Sequence, residues 1–159
     1  MDDHAVLDTN VLYAALRSRR GASRRVVDLV LDGEVIAHVS VPLVLEYEEV
    51  LLREADALSV TPREIRIVVA AFVEQAKEHA VSFRWSEYVR DPDDTHVLNT
   101  AVAASCPHLV TFNKSNFHRA SALNVRLLTP REFLTHSVEQ TRICRQFLVM
   151  TDLFERVLL

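Results

Sequence analysis

Short apolar runs alternate with helical patterns along nearly the whole chain, and this alternation limits the fold more than any other feature. Ala5-Val6-Leu7 ends at Asp8, and Asp8-Thr9-Asn10 supplies N-cap residue types ahead of the apolar stretch from Val11 to Leu16. The sequence thus predicts a strand, an acidic corner and a helix. Ser23 is placed to cap a second helix through Leu31 that Gly33 would stop, and Val35 to Val39 reads as the next strand. Pro42 suits the first turn of a third helix, with Leu43, Val44, Tyr47, Val50 and Leu51 along its apolar side. Thr61-Pro62-Arg63-Glu64 joins a capping box to proline at the first helical position and predicts a helix running to about His79. Val81-Ser82-Phe83 is a candidate short strand, and Asp91-Pro92-Asp93-Asp94 leads into a helix carrying Val97, Leu98 and Ala101. Leu109 to Phe112 and Val125 to Leu128 read as buried strands, and a second Thr-Pro-Arg-Glu box starts a helix at Thr129. Strands separated by helices favour a parallel sheet with helical crossovers on both faces, an α/β fold.

A length of 159 residues and 49% hydrophobic content are enough for one domain with a sizeable core. The expected division is a domain over residues 1–136 and a C-terminal extension over 137–159. Ile143, Phe147, Leu148, Leu153 and Phe154 predict one or two amphipathic helices there, packed on the domain or on a partner. Cys106 and Cys144 stand far apart, with no second cysteine near either to form a zinc knuckle or a redox pair. Idle thiols in a reducing cytoplasm are expected. The start MDDHAVLDTN lacks a basic region followed by a long apolar run, and no stretch reaches membrane-spanning length, so a cytoplasmic protein without a membrane partner is expected.

A formal net charge of −4 argues against general attraction to nucleic acid. Five arginines, Arg17, Arg19, Arg20, Arg24 and Arg25, nevertheless crowd around Gly21 as a local basic patch. In an open parallel sheet, ligands bind at the carboxyl ends of the strands. The acids to watch are therefore Asp8 after the first strand, Glu46 one helical turn after the second and Asp94 opening a later helix, with Asn116 after the following strand. Gathered carboxylates repel one another unless a cation offsets them. Hard oxygen ligands suit Mg²⁺ or Mn²⁺, and none of the seven histidines forms a His-x-x-x-His pair that would suggest zinc. Thr9, Asn10, Thr111 and Asn113 lie beside these acids and are candidates for orienting them, although capping and turn formation explain the same residues.

The chain resembles the PIN-domain family across roughly Ala5 to Leu134. The resemblance rests on Val6-Leu7-Asp8-Thr9-Asn10-Val11-Leu12, Val41-Pro42-Leu43-Val44-Leu45-Glu46-Tyr47, Asp91-Pro92-Asp93-Asp94 and Val110-Thr111-Phe112-Asn113-Lys114-Ser115-Asn116-Phe117. Within the family it is most similar to bacterial proteins classed as toxins of toxin–antitoxin pairs, relatives of the VapC toxins. The resemblance implies a three-layer α/β/α domain with a central parallel sheet of four to five strands. It also implies a Mg²⁺- or Mn²⁺-dependent ribonuclease that leaves 5′-phosphate and 3′-hydroxyl ends. Asp8, Glu46 and Asp94 then take the three main acidic positions as catalytic and metal-binding residues. Asn116 falls where many relatives have a fourth acid, which leaves the metal site one negative charge poorer unless Asp91 or Asp93 compensates. On this reading the arginines around Gly21 guide RNA, a homodimer is expected and a small antitoxin blocks the cleft. The alternative is a catalytically weakened PIN-fold module that binds RNA or protein. A phosphatase of the haloacid-dehalogenase type fits poorly, because its second aspartate would stand where Asn10 does.

Overall fold

The computed structural model of the chain describes residues 3–137. The first strand, β1 (Asp3–Leu7), has its last three residues buried, and α1 (Thr9–Arg17) leaves it at Asp8. The second helix, α2 (Ala22–Leu31), starts two residues earlier than a cap at Ser23 would set it. Gly21 holds the cap position, and Ser23 is buried inside the first turn. Gly33 ends that region with φ at 75°, a left-handed conformation that costs glycine little. Then follow β2 (Val35–Val39), α3 (Val41–Arg53) with its early proline, and the short α4 (Ala55–Leu58).

Both arms of the Thr61–Glu64 capping box form at the start of α5 (Pro62–Gln75). This helix stops short of His79, and the strand that follows is β3 (Lys77–Glu78), not Val81 to Phe83. The sheet decides the difference. His38 and Val39 of β2 pair with Lys77 and Glu78, and the His79 N–H donates to the Val39 carbonyl at 2.8 Å, so the backbone leaves the helix to complete this ladder. A 3₁₀ turn at Pro92–Asp94 leads into α6 (Thr95–Ala103), followed by β4 (His108–Val110) and β5 (Arg126–Leu128). Residues 130–137 are helical, opened by the second capping box through Thr129 and Glu132. The expected C-terminal helices, and Cys144 with them, lie outside the described residues. No helix among the described residues is long and apolar enough to cross a membrane.

The five strands form one parallel sheet in the order β3-β2-β1-β4-β5, flanked by helices, as the α/β/α expectation requires. After β1 the chain builds outward through β2 and β3, then returns to the other side of β1 with β4 and β5. The direction therefore reverses between β1 and β4, and the crevice at their carboxyl ends is where such a sheet leaves room for a ligand. Tyr47 anchors α3 beside that crevice. Its ring is fully buried edge-on against Phe72, and its hydroxyl donates to the carbonyl of Leu7 at the end of β1. Tyr47→Phe would leave that carbonyl without its buried donor, and denaturant titration is expected to show a loss of about 2 kcal/mol. An unchanged midpoint would show that the hydroxyl does not hold the helix. Burial pushes the Cys106 thiol up to about 11, which keeps it protonated and inert.

Candidate metal centre and cleft

Asp8 and Asp94 occupy the N-cap positions of α1 and α6. Capping is the simplest use of an aspartate there, yet neither side chain makes the hydrogen bond that would close its cap. Both turn instead toward Glu46, from the second turn of α3. Ligand oxygens of the three carboxylates lie within 4.8 Å of one another. The amino ends of α1 and α6 bring partial positive charge to the two aspartates, which offsets part of the repulsion among the acids.

Each carboxylate is gripped by an uncharged donor. Thr9 Oγ1 donates to Glu46 Oε1 at 2.6 Å, so the residue after one acid fixes the next. Thr111 Oγ1 and Asn10 Nδ2 both donate to Asp8 Oδ2, at 2.5 and 2.7 Å. The turn after β4 is tied into the same network, because the Asn113 N–H donates to Thr111 Oγ1 at 2.9 Å and the Phe112 N–H to Asn10 Oδ1 at 3.3 Å. Asn113 takes part through its backbone, while its side-chain oxygen accepts from Ser115.

Asn116 is buried and donates from Nδ2 to Asp94 Oδ2. Its Oδ1 accepts from the Asp91 N–H at 2.9 Å, so Asp91 reaches the network through its main chain. The expected ligand oxygen of Asn116 is thus engaged by a backbone amide, and the amide nitrogen is the end that meets the acids. Burial raises the pKa of Asp8, and Thr111, the nearby amides of Thr9 and Asn10, and the Asn10 side chain pull it partly back. A carboxylate so placed gains from a cation beside it. The Tyr47 hydroxyl is pushed well above its ordinary range by burial first and then by Asp8 and Glu46, so it stays a neutral donor.

A cleft of about 910 Å³ opens over Glu46 and Asp94. Its cationic lining consists of Arg53, near the end of α3, and Arg84, in the segment before α6, with His96 and Asn99 also on the wall. None of the five arginines around Gly21 lines it. Arg17 closes the nine-residue α1, a helix about 13 Å long by its rise, whose other end carries Asp8. Arg24 is paired with Asp28 at 2.8 Å.

Arg53, Arg84, Asn99 and Tyr47 are the residues that sequence reasoning passed over as functional candidates. Tyr47 stood in the apolar stripe of its helix, where only its position next to Glu46 hinted at more. Asn99 is buried and accepts the Trp85 N–H at 2.8 Å, which fixes the segment bearing Arg84; a polar residue inside an apolar helix face was its one signal.

The PIN domain family model matches residues 4–115 of the chain. The fold is similar to that in a crystal structure of VapBC2 from Rickettsia felis bound to a DNA fragment from their promoter. That match has a TM-score of 0.57 at 15% identity and covers 79% of this chain and 98% of the other. No curated protein matches the chain.

Proposed function

Because this chain belongs to the PIN-domain family, we propose that it is a metal-dependent endoribonuclease and the toxin component of a toxin–antitoxin pair. The observation that carries this reading is the convergence of Asp8, Glu46 and Asp94 at the crevice between β1 and β4. Three carboxylates without histidine or cysteine form a hard-oxygen donor set that fits Mg²⁺ or Mn²⁺. Bound there, such an ion supplies polarisation of a phosphoryl oxygen and activation of a water for attack on phosphorus. The chain itself does the positioning. Thr9 orients Glu46, Thr111 and Asn10 orient Asp8, and Asn116 orients Asp94.

Arg53 and Arg84 line the same cleft as Glu46 and Asp94, and on this reading they take phosphates of the bound RNA. Replacing both with Ala is expected to raise KM about tenfold and to reduce the salt dependence of RNA affinity, since two phosphate contacts are lost. Replacing Arg17, Arg19, Arg20, Arg24 and Arg25 together should weaken binding less. The opposite ranking would restore the Gly21 patch as the RNA-guiding surface.

The toxin assignment draws on the resemblance to VapC proteins and is supported by the fold shared with the VapBC2 structure. A small antitoxin, a homodimer and a cytoplasmic location follow from that assignment, and copurification from the native host tests the first two. A second reading, a binding module with weakened catalysis, is favoured by one observation, the amide of Asn116 among the acids. Incubating the purified chain with RNA in Mn²⁺, Mg²⁺ or EDTA separates the two. Cleavage that EDTA abolishes supports the nuclease, and RNA binding without cleavage in either metal supports the module.

A further inference from the structure

The acidic centre is built asymmetrically, and the asymmetry lies at Asn116. An asparagine side chain can turn either its oxygen or its NH₂ group toward a neighbour. Here the choice is fixed by the backbone, because the Asp91 N–H needs an acceptor and finds Asn116 Oδ1 at 2.9 Å. Turning the amide over would set its NH₂ against that N–H and cost the bond. The NH₂ group is therefore held toward Asp94, to which it donates. The residue is 5% exposed, so solvent does not relax this orientation.

A group that presents N–H bonds cannot be a metal ligand, and its positive end repels a cation. Charge points the same way. Three carboxylates carry at most three negative charges, which one divalent ion largely balances and two would exceed. A fourth carboxylate would match two.

Building on the nuclease reading above, we propose that this centre holds a single divalent ion, and that the inward-facing amide of Asn116 is the positioning residue that closes the place beside Asp94 to a second. Asn116 also fixes the plane of Asp94 for the ion that does bind. Asn116→Asp turns the donor into an acceptor and supplies the missing charge, so it opens the second place.

The test is Mn²⁺ titration of the purified full chain at neutral pH, read by calorimetry and by the loss of the free-Mn²⁺ magnetic resonance signal. The native chain should take up one equivalent, with no spin coupling between paired ions at low temperature. Asn116→Asp should take up two and show that coupling. It should also melt lower than the parent without metal and gain more from Mn²⁺, because Asp94 then faces another carboxylate. Asn116→Ala, which removes the donor without adding charge, should still bind one ion with lower affinity. Two equivalents in the native chain would overturn the proposal and leave the nuclease reading standing. A single equivalent in folded Asn116→Asp would overturn the role of this residue. No Mn²⁺ uptake by the native chain would overturn the proposal together with the metal centre on which it rests.

Discussion

Asp8→Asn is expected to lower metal-dependent RNA cleavage by about 10³-fold, equivalent to about 4 kcal/mol of transition-state stabilisation. The side chain is 4% exposed, stands at the reversal point of the sheet and shares its oxygen environment with Glu46 and Asp94. Asparagine keeps the shape and can still accept at the position of Oδ2, where Thr111 and Asn10 donate. The fold should therefore survive. The metal-free variant should melt no lower than the parent, because the burial that raises the Asp8 pKa works against a charge that asparagine lacks. The divalent ion separates the two proteins: it should raise the melting temperature of the parent by several degrees at saturating concentration and leave the variant unmoved. Mn²⁺-dependent cleavage above a tenth of the parent rate would remove Asp8 from the catalytic centre.

Acid is expected to destabilise the metal-free protein through a row of three imidazoles. His4 Nδ1 meets His38 Nε2 at 2.7 Å, and His38 Nδ1 meets His79 Nε2 at 2.7 Å. The row crosses from β1 over β2 to the residue after β3. His38, in the middle, has its pKa lowered to about 4 from 6.5 by burial first and then by His79, His4 and Lys77. The unfolded chain therefore binds more protons than the folded one between those values. His38 contributes stability that is full above pH 6.5 and falls as pH drops toward 4, by up to about 3 kcal/mol. Asp8, with its raised pKa, works in the opposite sense in the acid range. Urea titrations at intervals from pH 7.5 to 4.5 should show the decline in the parent and a flatter profile in His38→Asn. Equal slopes in the two proteins would show that the row does not govern acid stability.

The acids of the centre were legible because each follows a local signal. Asp8 ends an apolar run, Glu46 sits one turn into a helix that proline opens, and Asp94 precedes an apolar-periodic segment. Their roles as ligands or caps were not separable at that level, since aspartate after a strand caps helices routinely. The geometry adds what the sequence lacked: neither N-cap aspartate closes a side-chain cap bond, and each brings a carboxylate oxygen within 4.8 Å of one from Glu46. The basic patch around Gly21 was legible as a charge run, whereas the cleft arginines, Arg53 and Arg84, stand 31 residues apart in segments with no distinguishing pattern.

Local chemistry written in the sequence settled where most elements begin and end, including β2, the Thr61 capping box and the stop at Gly33, because caps, prolines and apolar periods act within a few residues. The sequence also specified a parallel α/β sheet, since helices between strands leave few other arrangements. Only the tertiary structure decided β3, whose two exposed residues, Lys77 and Glu78, carry no apolar signal and pair through backbone bonds to β2. It alone decided the direction of the Asn116 amide, which a backbone N–H 25 residues away fixes, and the histidine row, whose contacts span 34 and 41 residues. These features depend on strand register and on hydrogen bonds between distant segments, and neither exists until the sheet has closed.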